Sequence, residues 1–318
     1  MTRVDKECSA TQIMRGMKHE FNVHGVRWVK ITEPTEKEVG ELNREFSLHP
    51  LVSKELLIPT IRPKVDMYDT YFYMVLHVPV FNEKERKTNP KEIDFILLRN
   101  TIITISYETV KPLEEFAEIA DHPIANASGE NETVHFLYSM MRHLFSFSLR
   151  ELDHIQQNIN TLEDIMFYGK NDEIVHDMYV ARRDIIDFRR TIQPQEEMFR
   201  SLEENGALLY GEDARPFLRN LTGQYYRICD ILDGHKETIL ELYETNESIV
   251  TNRLNRTMKF FTVLAFITFI PSLVANIFGM NVAHIPFSEH PNAFWLIIAG
   301  SIAITLTVFL YFKIRKIL

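Results

Sequence analysis

Cysteine is scarce in this sequence, which contains only Cys8 and Cys229 among its 318 residues. The two cysteines lie far apart without metal-ligand spacing, so we expect neither a disulfide framework nor a zinc site. The first 16 residues contain no apolar stretch, and we therefore expect no signal peptide there. Covalent and metal cross-links are thus not expected to organise the fold.

An excess of positive charge is also lacking, because the chain carries a formal net charge of −9. A nucleic-acid partner needs a basic stripe that neutralises phosphates, and the sequence offers none, so no nucleic acid is expected. We find no glycine-rich phosphate loop and no nucleophile–base constellation in the sequence. We therefore expect neither an enzyme nor an organic cofactor.

Two long apolar segments are present near the C-terminus, residues 260–277 and 293–312, and neither contains Asp, Glu, Lys or Arg. Each is long enough, at about 1.5 Å per residue, to cross a hydrocarbon core of roughly 30 Å. The alternative is a helical hairpin buried in a large soluble core. Two adjacent segments that are apolar all round favour insertion in a lipid bilayer.

Basic residues flank both segments: Arg253, Arg256, Lys259, Lys313, Arg315 and Lys316. The loop between the segments, residues 281–292, contains no Lys or Arg. The positive-inside rule therefore predicts a multi-pass protein of the cell (inner or plasma) membrane with both termini in the cytoplasm.

The first 130 residues mix strand and helix patterns, which predicts an α/β unit. Strands are expected at residues 26–31, 71–80, 92–98 and 101–107, with a hairpin turn near Arg99 and Asn100. A helix is expected after Thr32 or Thr35, either of which is a suitable N-cap, and a short one after Pro50.

From about residue 132 the strand signal disappears. Long helices are expected over residues 133–168 and 172–202, with Pro194 interrupting the second. The segment Glu203-Glu204-Asn205-Gly206 is expected to end that second helix.

A third helix is expected to begin near Pro216 and to run without a break into the first apolar segment, because the next proline is Pro271. Its apolar stripe alternates steps of four and three, which is a heptad seam. The seam comprises Leu221, Tyr225, Ile228, Leu232, His235, Ile239, Leu242, Asn246 and Ile249. We favour a stalk in which several copies associate over packing of the helix on its own domain.

The same alternation continues into the apolar segment at smaller and more polar residues: Asn255, Met258, Thr262, Ala265, Phe269, Ser272 and Asn276. Polar side chains in lipid turn toward other helices or water. Two interpretations remain equal at this point, a contact face in a helix bundle and the wall of a pore made by several copies.

The sequence PSLVANIFGMN at residues 271–281, followed by a short loop, a second span and a basic tail, resembles the CorA family of divalent-cation transporters. The segment RPKVDMYD at residues 62–69 and the strand after it also resemble that family's cytoplasmic domain. The resemblance covers the chain from about residue 25 to its end.

This resemblance implies an α+β membrane protein that forms a homopentameric funnel. Each copy would contain a cytoplasmic α/β/α domain, a long helical stalk and two C-terminal transmembrane helices. The expected segments are 1–130 (α/β domain), 131–212 (long helices), 213–259 (stalk helix), 260–278 (first span), 279–292 (external loop), 293–312 (second span) and 313–318 (cytoplasmic tail).

The resemblance also implies passive, gated conduction of Mg²⁺, with Co²⁺ or Ni²⁺ often accepted, driven by the membrane potential. Gly279, Met280 and Asn281 would form the external selectivity mouth, where Asn281 would bind hydrated Mg²⁺. The pore-lining positions implied by alignment are Asn255, Met258, Thr262, Phe269, Ser272 and Asn276. They coincide with the face that the residue spacing indicates.

The external loop departs from the family pattern. Phe278 replaces a common tyrosine, and the loop keeps Pro286 but lacks the usual glutamate, so that Glu289 is its only acid. His284 and His290 would form a Zn²⁺- or proton-sensitive ring around the mouth, although loop histidines more often have no specific role.

A regulatory Mg²⁺ site between copies is also implied. A stalk position that is acidic in some relatives aligns with Asn220, so other acids would have to provide the ligands. The candidates are Asp66, Asp69, Glu83, Asp94, Asp213 and Asp230. Most acids of this kind are solvated surface charges.

Two alternative functions remain open. One is zinc transport, as in a related branch that shares the Gly-Met-Asn sequence. The other is a membrane-anchored coiled-coil scaffold or sensor, which the uncharged polar face through Asn255 and Asn276 disfavours.

Overall fold

The computed structural model describes residues 17–23, 25–82, 84–120, 132–168, 174–280 and 291–314. The chain divides into two units, Met1–Leu240 and Glu241–Leu318.

The first unit contains a six-stranded sheet in its described residues, with the strand order β1-β2-β6-β5-β4-β3. Strands β2 and β6 pair in parallel, and the other neighbours are antiparallel. The strands are β1 (Met17–Val23), β2 (Val26–Thr32), β3 (Lys64–Met67), β4 (Tyr71–Asn82), β5 (Lys87–Leu98) and β6 (Thr101–Ser106).

The helices follow and flank these strands. They are α1 (Glu36–Phe46), α2 (Pro50–Glu55), α3 (Lys111–Ala120), α4 (Glu132–Tyr168), α5 (Ile174–Ile192), α6 (Glu196–Tyr210), α7 (Arg215–Phe278) and α8 (Ala293–Ile314). Short 3₁₀ turns precede α6 at Gln193–Gln195 and α7 at Glu212–Ala214.

Helices cover both faces of the sheet, so the first unit has the predicted α/β/α layers. On one face, Val29 of β2 packs in a core with Val39 and Leu42 of α1 and Val52 of α2. On the other face, the Trp28 ring lies 5.6 Å from Phe116 in α3 and 5.7 Å from Phe136 in α4. Adjacent residues of a strand point to opposite faces, and both faces are therefore buried.

The expected strands and the first helix are confirmed. Thr35, and not Thr32, caps α1: its hydroxyl accepts from the Glu38 backbone N–H, and the Glu38 carboxylate accepts from the Thr35 backbone N–H. The structure adds β1, β3 and α3. The edge strand β1 is mostly exposed and its sequence MKHEFNV is polar, so it carries little of the hydrophobic alternation that marks a strand.

Pro194 interrupts the long second helix as expected, since it lies in the 3₁₀ turn between α5 and α6. The predicted helix end at Glu204-Asn205-Gly206 is wrong, because α6 continues to Tyr210. A Cβ atom at Gly206 would lie 2.3 Å from Leu218 Cδ1, so glycine is present for close packing. The helix ends at Gly211, whose φ of 86° suits glycine.

The heptad seam of α7 is buried within the single chain from Leu221 to Ile239. The Tyr225 ring stacks on Phe199 of α6 at 5.1 Å, and its hydroxyl donates to the Gln193 carbonyl oxygen at 3.1 Å. The seam therefore packs on the chain's own helices. Our prediction that this part of the seam joins several copies is wrong, since its apolar side chains are already covered.

In the second unit, α7 and α8 each contain a segment that is long and apolar enough to cross a membrane. Val263 of α7 is buried, and the rings of Phe266 and Phe312 lie 6.0 Å apart. Ile267 and Val274 of α7 line a groove with residues of α8 such as Ile298. One side of α7 thus packs against α8.

Candidate cation pathway and regulatory acids

The six pore-lining residues predicted from the sequence are all exposed in the single chain: Asn255, Met258, Thr262, Phe269, Ser272 and Asn276. They include large apolar groups, since Met258 is 63% exposed and Phe269 is 59% exposed. Within the described residues, no other part of the chain covers this face of α7.

This exposed face points away from α8. An α-helix turns by about 100° per residue, which places the six residues on average about 140° around the axis from Val263, Ile267 and Val274. Those three are the residues that are buried or line the α8 groove. The polar face of α7 is therefore free to meet something other than α8.

The hydroxyl groups on this face donate hydrogen bonds to backbone carbonyl oxygens of the same helix. The Thr262 hydroxyl donates to the Met258 carbonyl oxygen at 2.8 Å, and the Ser272 hydroxyl donates to the Thr268 carbonyl oxygen at 2.9 Å. A hydroxyl oxygen keeps acceptor lone pairs after donating its hydrogen. These oxygens can thus accept hydrogen bonds from water that surrounds a cation.

The Gly-Met-Asn segment follows the end of α7 directly. The Gly279 N–H donates to the Ala275 carbonyl oxygen at 2.8 Å, and a Cβ atom at position 279 would lie 3.0 Å from that oxygen. Glycine thus allows a close backbone approach at the helix end. Met280 is 56% exposed. Asn281, with His284, Pro286, Glu289 and His290, lies outside the described residues.

The candidate regulatory acids are scattered over the first unit. Asp66 in β3 forms an ion pair with Lys64 at 2.8 Å. Asp69, which precedes β4, is exposed. Asp213 and Asp230 are exposed, the first in the 3₁₀ turn before α7 and the second within α7. Glu83 lies outside the described residues.

Asp94 lies in the core, where its side chain is fully buried. One of its carboxyl oxygens accepts from the Tyr107 hydroxyl at 2.8 Å and from the Tyr73 hydroxyl at 3.3 Å. Burial, and then the neighbouring charge of Glu92, raise the pKa of Asp94 well above its usual range. Because Asp94 is buried, its carboxyl is not accessible to a hydrated cation at the surface of the chain.

Two polar residues that line a cavity, Glu92 and His77, were not predicted as site residues from the sequence. Glu92 accepts from the Thr60 backbone N–H with both oxygens, at 2.7 and 2.8 Å, and His77 Nε2 contacts the Thr60 carbonyl oxygen at 3.0 Å. They line a cavity of about 830 Å³ between the sheet and α5. Glu92 and Asp94 alternate with the apolar residues Ile93 and Phe95 in β5, and that alternation was the available signal.

Asn220 in α7 accepts from the Tyr138 hydroxyl at 3.0 Å and from Gln224 Nε2 at 2.6 Å. Arg219 and Arg227 line the same shallow surface groove. Nowhere in the described part of the chain do three or more His, Cys, Asp or Glu side chains form a group that could hold a metal ion.

Comparison with known proteins places this geometry in a family. Residues 23–315 match the family described as CorA-like Mg²⁺ transporter protein. The cobalt/magnesium transport protein CorA of Thermotoga maritima is 24% identical over 297 residues, covering 91% of this chain and 82% of the relative. The zinc transport protein ZntB of Pectobacterium atrosepticum is 19% identical, covering 87% of this chain and 85% of the relative.

The fold is also that of a solved relative. The complete CorA magnesium transporter of Methanocaldococcus jannaschii superposes with a TM-score of 0.75 at 18% identity, covering 91% of this chain and 90% of that structure. Together with the two apolar helices, these findings define the class of protein. The chain belongs to the CorA-like Mg²⁺ transporter family and is a membrane-embedded divalent-cation transporter, not an enzyme.

Proposed function

We propose that this protein conducts Mg²⁺ passively through a central pore lined by the polar face of α7. The observation that carries the proposal is that this face lies opposite the side of α7 that packs on α8. A pore wall needs such a face, because α8 separates the other side of the helix from any central axis. Thr262, Ser272 and Asn276 supply its oxygen atoms.

The chemistry of this face suits a hydrated cation. Mg²⁺ dehydrates reluctantly and is usually held with several of its waters. Neutral oxygens accept hydrogen bonds from those waters without replacing them, whereas a ring of carboxylates would bind the ion directly and release it slowly. We place Asn281 at the external mouth, after Gly279 and Met280, on the family resemblance alone. Met258 and Phe269 are the apolar constrictions that gate the pore by dewetting.

The pore requires several copies, because one α7 supplies only one strip of wall. We propose a homopentamer, as the family resemblance implies. The copies would meet around the exposed face that includes Asn255 and Asn276, since the seam from Leu221 to Ile239 is occupied within each chain. Both termini are cytoplasmic in this proposal, so the membrane potential drives entry with about 4.6 kcal/mol per 100 mV for a divalent ion.

Regulation by cytoplasmic Mg²⁺ would occur between copies. The exposed acids Asp69, Asp213 and Asp230 are the candidates that a second copy can reach, whereas Asp94 is buried and Asp66 is paired with Lys64. In the expected arrangement, residues 1–130 and 131–212 form the cytoplasmic body, and residues 213–259 form the stalk.

Zinc transport is the second candidate, favoured by the likeness to the ZntB protein over 87% of the chain. The scaffold is shared, so only the ion and its driving force distinguish the two. A mere membrane anchor is not supported, because the family consists of transporters.

The test is uptake by purified full-length protein in liposomes under an inside-negative potential, with Mg²⁺, Co²⁺, Ni²⁺ and Zn²⁺ compared. We expect Mg²⁺ uptake that saturates, with Co²⁺ and Ni²⁺ accepted, and a loss of uptake or selectivity in Asn281→Ala. Zn²⁺ uptake without Mg²⁺ uptake would favour the second candidate. Asn281→Ala with unchanged uptake and selectivity would remove the mouth assignment.

A further inference from the structure

Four basic side chains lie at one end of the apolar segments of α7 and α8: Arg253, Arg256 and Lys259 within α7, and Lys313 in α8. All four are exposed. No acidic side chain of the described residues forms an ion pair with them at 4.0 Å or less. Within the described residues, their positive charge is therefore not neutralised by an ion pair.

The three basic residues of α7 lie on its α8 side. Arg256, Val263 and Ile270 are seven residues apart, and seven residues make about two turns, so all three share one side of the helix. Val263 is buried and Ile270 is half-buried on that side. Arg253 and Lys259 lie about 60° to either side of Arg256.

The cluster is consequently turned away from the pore face. Asn255 and Met258 interleave with the basic residues in sequence but lie on average about 130° around the axis from Arg256. Cationic groups on the pore face would repel a divalent cation. On the α8 side of α7, the exposed basic side chains can instead contact molecules around the α7–α8 pair.

Lys313 lies near the same level of the hairpin. It follows Phe312, whose ring is 6.0 Å from Phe266, and Lys259 is seven residues before Phe266. That separation is about 10 Å along α7, which the long side chains of two lysines can bridge. The basic groups of both helices thus reach one layer at the edge of the apolar segments.

This layer carries charge of one sign. From Ser248 to Ile314 the sequence contains a single acid, Glu289, and that residue lies in the loop that joins the other ends of the two helices. The nearest acid before the cluster is Glu247. Residues 248–278 of α7 and 293–314 of α8 contain no Asp or Glu that could neutralise the four cations.

We infer that Arg253, Arg256, Lys259 and Lys313 bind the phosphate headgroups of anionic phospholipids. Basic clusters at the end of a membrane span attract anionic headgroups, and long basic side chains extend from an apolar stem to the headgroup layer. A lipid is favoured over a soluble phosphate because the cluster adjoins apolar helix surface that acyl chains can cover. The inference rests on insertion of both helices in a bilayer, and not on which ion is transported.

The test uses the full-length protein purified in a neutral detergent, with native mass spectrometry after addition of phosphatidylglycerol or phosphatidylcholine. Wild type should retain phosphatidylglycerol preferentially. We expect Arg256→Gln/Lys259→Gln to weaken its retention about 10-fold, since each surface cation contributes to headgroup binding. The matched control is Lys236→Gln, an exposed lysine of α7 in the first unit, which should leave retention unchanged.

A salt titration and a competition with inorganic phosphate distinguish a lipid headgroup from a free phosphate. Raised salt should release phosphatidylglycerol from the wild type, and millimolar inorganic phosphate at constant ionic strength should not displace it. If the double variant fails to assemble, retention of phosphatidylglycerol by Lys313→Gln, and by the wild type at raised salt, tests the inference. Equal retention of both lipids by the wild type, or retention that salt and the variants leave unchanged, would overturn the inference. Loss of lipid preference with Mg²⁺ uptake intact would leave the proposed pore standing, and the reverse result would leave the lipid site standing.

Discussion

The hydroxyl of Thr262 donates its hydrogen to the carbonyl oxygen of Met258, one turn earlier in α7, at 2.8 Å. Its lone pairs therefore face the exposed side of the helix as acceptors. Thr307 of α8 has the same bond, to the Ala303 carbonyl oxygen at 2.8 Å, and is also exposed. Thr262 and Thr307 thus have the same local hydrogen bonding, but only Thr262 lies on the helix that we propose lines the pore.

We expect Thr262→Val to reduce Mg²⁺ uptake by about 5-fold, because one hydrogen bond to a water of the ion, worth about 1 kcal/mol, is lost in the pore. Thr307→Val should leave uptake unchanged. Flux of Mg²⁺ into liposomes, normalised to the amount of reconstituted protein, measures both. Equal effects of the two variants would contradict a pore lined by α7.

The core provides a second prediction, at Gly206. A methyl group there would lie 2.3 Å from Leu218 Cδ1, so the buried Leu218 side chain would have to shift. Gly206→Ala should destabilise the protein by about 1–3 kcal/mol through overpacking. Gly223→Ala is the matched control, since a Cβ atom at that position meets nothing within 4 Å, and it should stabilise α7 by about 0.5–1 kcal/mol.

Thermal unfolding of the two glycine variants in the same detergent measures this difference. If Gly206→Ala raised the transition temperature as much as Gly223→Ala, the close approach of α6 and α7 would not be a constraint on the fold.

Stability should depend on pH through Asp94, whose pKa is raised by burial and by Glu92. A raised pKa means that the folded protein binds this proton more tightly than the unfolded chain. The contribution to stability is complete below the ordinary aspartate pKa of about 3.9 and is lost as pH rises through the raised value. Asp94→Asn keeps a neutral, hydrogen-bonding group and should remove this dependence.

The measurement is the unfolding temperature of wild type and Asp94→Asn over a pH series. The advantage of the wild type over the variant should decline as pH rises. Asp213→Asn, at an exposed position, serves as the control. Parallel pH profiles for wild type and Asp94→Asn would show that Asp94 is ionised in the folded protein.

Much of the fold could be predicted from the sequence because the relevant signals are local. The strand around Met74 is a continuous apolar run, and no proline lies between Pro216 and Pro271. Both features persist in the structure as β4 and α7. The strand β1 was missed because its residues are polar and its burial depends on β2 alone.

Other features depend on contacts that no local pattern encodes. The heptad seam through Tyr225 predicts an apolar partner but does not say whether that partner is a second copy or, as found, Phe199 of the same chain. Gly206 has the local character of a helix end, yet packing on Leu218 explains it inside a helix. For the candidate pore, the sequence identified the polar face, and the structure added the side on which α8 lies.

If cations pass along the face of α7 that includes Asn276, a cysteine at that position should be reached by a permeating thiol-binding ion. In a protein with Cys8 and Cys229 replaced by serine, Asn276→Cys and Thr307→Cys would each be exposed to Cd²⁺, a thiol-binding divalent ion, during Mg²⁺ uptake. We expect Cd²⁺ to block uptake through Asn276→Cys and a chelator to restore it, whereas Thr307→Cys should be insensitive. Block at Thr307→Cys, with Asn276→Cys unaffected, would show that cations do not pass along this face of α7.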